Sequence, residues 1–185
     1  MARVFEQIDD TLAAWIRRQQ MFFVATAPLA ATGSVNCSPK GLDTLRIFGP
    51  TEVAYLDLGG SGIETVAHLK ENGRIVLMFC AFEGSPRILR LHGHGTAIER
   101  DHPEFSTLLA NFPPQPVCRN IIRISIKRIS DSCGWGVPRY DYLGQRDEIA
   151  QAVAGKTPEQ LRAKAAKQNR QSIDGLEGLN IDALK

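Results

Sequence analysis

Long apolar stretches are missing from this 185-residue sequence. The longest, residues 21–31, is interrupted by Thr26 and Pro28 and falls far short of the roughly 20 residues that a membrane-spanning helix needs. An excess of either charge is missing as well: 22 Lys and Arg face 20 Asp and Glu, a formal net charge of +2 with His neutral. Such a balance supplies no bulk field to draw the chain to nucleic acid or to an anionic lipid surface, so neither is expected as a partner and any ligand must be recognised by a local site. Cysteine is sparse. Cys37, Cys80, Cys118 and Cys133 lie far apart without a Cys-x-x-Cys pair, which removes the usual zinc and redox-dithiol patterns. Met1 to Glu6 contain neither the apolar run of a signal peptide nor the Arg-rich stretch of a transit peptide, so the expected location is the cytoplasm, where disulfides are rare. Internal repeats are absent too.

What is present is enough for one core. With 43% hydrophobic and 23% charged residues, a chain of this length can bury roughly 70% of its extended surface in a single domain. Phe5, Ile8, Leu12, Trp15 and Ile16 recur at helical spacing and predict a packing helix over 5–18. The apolar run 21–27, a turn-rich stretch 28–34 and residues 35–38 read as a hairpin. Residues 44–48 with 53–58, and 74–82 with 88–98, read as two further strand pairs. Ile122, Ile124 and Ile126 alternate with Arg123, Ser125 and Lys127, the period of a strand with one wet face. Helices are expected over 63–72 and 103–111, the second with Asp101 and Glu104 as a capping box. The fold class is therefore mainly β (α+β): an antiparallel barrel, closed or nearly so, with short flanking helices. After Tyr142 the composition turns polar. Thr157-Pro158-Glu159-Gln160 starts a helix to about residue 170. The expected division is a barrel domain over 1–145 and a helical tail over 146–185 that packs on the barrel or on a partner subunit.

Four segments have the residue types that binding or catalysis requires. In Leu58-Gly59-Gly60-Ser61-Gly62 a strand ends in a glycine-rich turn and opens a helix, which leaves backbone N–H groups at the positive end of a helix dipole. Ser61 and Thr65 add hydroxyls; the alternative is a plain strand-to-helix turn capped by Ser61. In Val35-Asn36-Cys37-Ser38-Pro39-Lys40-Gly41 polar side chains and one cation sit where a strand becomes irregular, suited to an anionic or heteroaromatic ligand, unless it is simply an edge strand ended by proline. In Arg87 to Gly95, Arg90, His92 and His94 share one strand face, either a substrate-facing patch or a polar barrel surface; no third ligand identifies a metal site, and none is expected. In Asp131 to Tyr142, glycines around Trp135 and two tyrosines behind Pro138 present aromatic surface with Arg139 among them, a wall for a flat ligand or a plug on the barrel end. No base stands at a recognisable spacing from Cys133, so thiol catalysis is not inferred. Arg119, Arg123, Lys127 and Arg128 read as a solvated strand face rather than a nucleic-acid surface.

These segments, in this order, resemble the pyridoxamine 5′-phosphate oxidase-like family of FMN-binding split barrels. The resemblance runs over roughly 5–130 and rests on Val35-Asn36-Cys37-Ser38-Pro39-Lys40-Gly41, on Tyr55-Leu56-Asp57-Leu58 with Gly60-Ser61-Gly62-Ile63-Glu64-Thr65, on Asn72-Gly73-Arg74-Ile75 and on the strand 89–98. It implies a homodimer with FMN at the subunit interface. Ser61, Gly62 and Thr65 would hold the phosphate, Asn36, Cys37 and Ser38 would run beside the isoalloxazine ring, Lys40 would sit near the phosphate or a substrate anion, and Trp135 would close the pocket. Arg90, His92 and Arg139 are the candidate substrate contacts. True pyridoxamine-phosphate oxidases carry an Arg-x-His-Arg-type motif near the C-terminus; here Arg90-Leu91-His92 is in mid-chain and is followed by Gly93, which argues against vitamin B6 as substrate. The function implied is a flavin-dependent oxidoreductase passing hydride between a reduced nicotinamide nucleotide or another small molecule and the flavin. No acid or base is assigned, because hydride transfer needs placement more than proton abstraction. Related split barrels bind the deazaflavin F420 or haem, for which His92 and His94 would serve, and a non-enzymatic flavin-binding module is the third alternative.

Overall fold

A computed structural model describes residues 3–182; Met1, Ala2 and residues 183–185 lie outside the described residues. Eight strands run β1 Arg3–Phe5, β2 Phe22–Thr26, β3 Asn36–Lys40, β4 Leu45–Gly49, β5 Glu52–Leu58, β6 Arg74–Cys80, β7 Ile88–Ile98 and β8 Cys118–Ser132. Five helices interleave and follow them: α1 Asp10–Arg17, α2 Glu64–Asn72, α3 Phe105–Leu109, α4 Glu148–Val153 and α5 Pro158–Gln168. Every strand pairing is antiparallel, in the order β3-β2-β6-β7-β8-β5-β4, with β1 added on β8. The edges β3 and β4 do not bond to each other, so the barrel is split between them. The mainly β, split-barrel architecture agrees with the alternation and turn chemistry of the sequence. No helix among the described residues is long and apolar enough to cross a membrane.

The long strand β8 is the spine. Ile122, Ile124, Ile126 and Ile129 turn inward and are buried, and β1, β5 and β7 all pair along it. His92 pairs with Arg128 but Gly93 with Ile126, so Lys127 stands unopposed in a bulge. Gly93 is required there: a Cβ would lie 2.3 Å from the Ser125 carbonyl oxygen. Inside the barrel Phe22 packs edge-on against Tyr55, with ring centroids 5.6 Å apart, joining strands that share no hydrogen bonds. Helix residues Leu12 and Ile16 of α1 and Val66 and Leu69 of α2 belong to the same cluster. A smaller cluster sets Leu56, Ile98 and Ile121 against Phe105 and Leu108 of α3.

Three local expectations change. The first helix starts at Asp10, not near Phe5, because Asp9 Oδ1 accepts the Leu12 N–H at 2.7 Å and the backbone before it is taken into β1, where Phe5 opposes Ile129. The capping box predicted for Asp101 and Glu104 does not form: Glu104 itself stands at the start of α3 without a side-chain cap, its carboxylate accepting from Arg123, while Asp101 accepts from Asn180 Nδ2 at 3.0 Å. Helix α4 was not anticipated. By contrast, the capping box at Thr157 forms with Gln160. Beyond α5 the chain crosses back over the barrel: Asn169 and Leu179 are buried, and Asp174 accepts from the Ser34 backbone N–H at 2.7 Å and its hydroxyl at 2.9 Å.

Candidate functional site

Strand β3 lies at the sheet edge and pairs with β2, so part of its backbone faces away from the sheet without a ladder partner. Pro39 is tolerated because it sits on that edge. The pleat turns Asn36, Ser38 and Lys40 to one side, half-buried, and Cys37 and Pro39 to the other, exposed. At the near end of β3, Asn36 Nδ2 donates to Thr65 Oγ1 at 3.0 Å and to Thr26 Oγ1 at 3.3 Å. Thr26 Oγ1 shares a hydrogen bond with His68 Nδ1 at 2.9 Å. This chain ties the edge strand to the first two turns of α2. His68 is fully buried, its Nε2 without a partner; burial holds its pKa below the ordinary imidazole value against the pull of Asp174, Glu64 and Glu71.

At the far end, Lys40 Nζ lies 3.2 Å from Asp57 Oδ1. Asp57 is wholly buried; its Oδ2 accepts from Arg119 Nε at 2.7 Å and from Asn120 Nδ2 at 3.0 Å. Burial alone would raise the Asp57 pKa, but Arg119 and Lys40 outweigh it and hold the carboxyl below its usual value. Arg119 NH1 donates onward to the Gly62 carbonyl at 2.8 Å. Arg119 is therefore not part of a solvated face, as its place among the basic residues of β8 suggested: it is 6% exposed and joins the floor of the site to the glycine turn. Lys40, for its part, already has a counter-ion. Beside them the Tyr55 hydroxyl is buried, with the Thr65 side chain near it but no hydrogen bond of normal geometry; burial, then Asp57, pushes its pKa well above that of a free phenol.

The turn 59–62 is tied from outside. Asn169 Nδ2 donates to the Gly60 carbonyl at 3.0 Å, and Arg119 takes that of Gly62. Ser61 is exposed and does not cap α2, whose N-cap is Ile63 with no side-chain hydrogen bond. The first-turn N–H groups of α2 are thus uncapped donors at the positive helix end, with Glu64 the nearest carboxylate; its Oε1 accepts from Ile173 N at 3.3 Å.

The remaining candidates lie elsewhere on the chain. Arg90 and His92 stand on the outer face of β7, two strands beyond β2. Arg90 NH1 donates to Ser132 Oγ at 3.1 Å, and burial, then Arg90 and Arg128, lower the His92 pKa. Cross-strand register puts Cys37, Ala25, Val76, His92 and Arg128 in one row on that face and Pro39, Phe23, Met78, Arg90 and Ser130 in the next. Trp135 is 83% exposed and Arg139 is exposed; among the described residues neither touches the β3–α2 group. Their loop is fixed instead by Gly134, where a Cβ would lie 2.8 Å from the Arg87 backbone, and by Tyr140 stacked on Phe82. No cluster of three His, Cys, Asp or Glu fit to hold a metal ion occurs among the described residues. Asp57, Arg119 and Asn120 were not picked out as site residues from the sequence. Asp57 offered a signal, as the one charged residue in the apolar stretch 53–58.

Comparison with known proteins adds three findings. The model of the pyridoxamine 5′-phosphate oxidase family matches residues 8–133. A pyridoxamine 5′-phosphate oxidase family protein, ustO, of Aspergillus flavus is 40% identical over 141 residues, covering 74% of this chain and 56% of the relative; the chain thus spans little more than half of that protein's length. Among solved structures the fold is similar to a variant of HupZ from Group A Streptococcus, with a TM-score of 0.54 at 20% identity over 68% of this chain and 99% of that one. It is similar also to a candidate pyridoxamine 5′-phosphate oxidase from Lactobacillus delbrueckii, with a TM-score of 0.52 at 13% identity over 69% and 98%.

Proposed function

We propose a function from one premise: the chain belongs to the pyridoxamine 5′-phosphate oxidase family. Our reading is that it is an FMN-binding oxidoreductase, acting as a homodimer, that exchanges hydride with a reduced nicotinamide nucleotide or another small organic molecule. The observation that carries it is the junction of β3 and α2: an open strand edge hydrogen-bonded through Asn36 and Thr65 to an uncapped helix N-terminus. The donor set suits the cofactor. A phosphate dianion is matched by backbone N–H groups of α2 and the hydroxyls of Ser61 and Thr65, and by the net positive charge that Lys40 and Arg119 keep around the one carboxylate of Asp57. A flat heteroaromatic ring is matched by the unpaired backbone of β3 beside Asn36, Cys37 and Ser38. When bound, FMN would supply the two-electron acceptor; the protein's share is to position it, through the buried frame of Asp57, Arg119 and His68, and to leave one ring face accessible.

The outer sheet face supports the homodimer. Phe23, Ala25, Val76 and Met78 form a half-buried apolar patch there, bordered by Arg90, His92 and Arg128. Trp135 and Arg139, exposed and apart from the β3–α2 group within the chain, are the residues with which a second copy would close the flavin pocket. The exposed thiols of Cys37 and Cys133 suit a reducing compartment such as the cytoplasm.

The test is the visible spectrum of the purified protein, followed by FMN titration and sedimentation. Flavin absorbance, or saturable FMN uptake by a dimer, is expected, with Thr65→Val weakening FMN about tenfold, the value of one hydrogen bond to a charged group. A protein that neither carries nor takes up FMN would overturn the reading.

A further inference from the structure

A second cleft, about 360 Å³ in volume, opens on the other side of the glycine turn. Its walls are the turn 59–61 and the start of β8 on the barrel side, and α4 and α5 on the other. Both helices lie beyond residues 8–133, which match the family. Asn36, Lys40 and Thr65 do not line it; it shares with the β3–α2 junction only the glycine turn with Ser61, and Arg119 beneath it.

Its charge is one-sided. Arg100, Arg119, Lys156, Arg162 and Lys164 contribute to the lining, and no Asp or Glu does. Arg119 is paired with Asp57 and Arg162 with Glu159. Arg100 has no carboxylate partner among the described residues; it donates to the Cys118 carbonyl at 2.6 Å and lies over the Phe105 ring. Lys164 likewise makes no ion pair among the described residues. In a protein whose overall charge is close to balanced, a cleft with several cations and no acid attracts an anion locally. Ile149 and Leu161 give part of the lining an apolar character. A further observation points to a ligand: Asn169 lines the cleft and is fully buried, and its Oδ1 lacks a hydrogen-bond donor although its Nδ2 is used by Gly60.

We propose that this cleft binds a small phosphorylated organic molecule, no larger than a mononucleotide, independently of the flavin. The phosphate is held by the Arg100 and Lys164 cations and the organic part lies against Ile149 and Leu161, with the buried Asn169 amide, its Oδ1 unsatisfied, at the cleft wall. The volume is at the lower end of that of small-molecule pockets.

Calorimetric titration of the protein, with FMN at saturation, against adenosine monophosphate, ribose 5-phosphate and glycerol 3-phosphate tests this. At least one probe binds saturably, more weakly as salt is raised. Lys164→Glu, an exposed change, lowers its affinity at least tenfold, and Leu161→Trp, which fills the cleft, abolishes it while circular dichroism and FMN uptake stay unchanged. Failure of all three probes overturns the proposal, as does binding that survives both variants. Displacement of FMN by the probe also overturns it, because the cleft would then be the flavin's own phosphate pocket. If the protein takes up no FMN, the same titration without flavin decides the matter, so the two readings fail separately.

Discussion

Asp57 shows how much one residue organises. Fully buried, it pairs with Lys40 from the edge strand and with Arg119 from the spine, one carboxylate between two cations, and Arg119 in turn fixes the Gly62 carbonyl. Removing its charge leaves two cations without their counter-ion, one of them buried, so Asp57→Asn is expected to destabilise the fold by about 3–5 kcal/mol, measured by urea unfolding at pH 7. The pH dependence has a definite sign. The folded pKa of Asp57 is depressed, so its contribution is complete above the ordinary value of 3.8 and is lost as pH falls through the lower folded value. The depressed pKa of His68 acts the same way at higher pH: its contribution is complete above 6.5 and is lost as acidification forces a proton onto the buried ring. Unfolding midpoints of the native protein should therefore fall on acidification, first below about pH 6.5 and again below about pH 4, and in Asp57→Asn the second step should be smaller, not absent, because Asp174 is also held low by Ser34. A midpoint that stays flat from pH 7 to 3 would contradict this. None of the pairing was legible from spacing, because Asp57 and Arg119 meet only through the register of β5 on β8.

At the scale of elements, the strands were legible and the boundaries of two helices were not. Period-2 alternation in 122–127 and the turn-separated apolar runs locate β2 to β7 and the middle of β8, whose ends at Cys118 and Ser132 the alternation does not reach, because a half-buried strand must repeat every two residues. Helix starts depend on which side chain reaches a free N–H, and the capping pattern at Asp101 lost to contacts made from the far end of the chain, where Asn180 engages its carboxylate. The bulge between β7 and β8 is an element-level device with a clear test. Gly93→Ala would force a Cβ into the backbone of Ser125 and Ile126, atoms that cannot swing aside, and is expected to cost about 2 kcal/mol in unfolding free energy. Gly49→Ala, where a Cβ meets open space, serves as the control and should be nearly silent.

At the scale of the whole molecule, a barrel and a tail share one core. We propose that the division lies near residue 145, with the barrel able to fold alone. Residues 146–182 then act as a cover that contributes Leu179, Ala165 and Ala166 to the barrel cluster and Asn169 to the glycine turn. Truncation at residue 145 should leave a cooperative unfolding transition and a β-type circular dichroism spectrum, at a midpoint lowered by the lost burial. Loss of all cooperative structure would show instead that the tail is part of the folding unit. The candidate site follows the same pattern. The glycine turn, Thr65, Asn36 and Lys40 could be picked out because their residue types and local spacing belong to single segments. Trp135, Arg139, Arg90 and His92 could be picked out by type, but within the chain they do not meet that group.

The sequence by itself determined a mainly β, antiparallel fold of balanced charge with a glycine turn opening onto a helix, since periodicity, turn chemistry and composition are properties of neighbours along the chain. Only the closed fold established that Lys40 is ion-paired, that Arg119 is buried, that β3 is left as an open edge and that the C-terminal helices enclose a basic cleft. Each of these depends on groups far apart in sequence, and their energies come from distance and desolvation, which exist only once the chain has closed on itself.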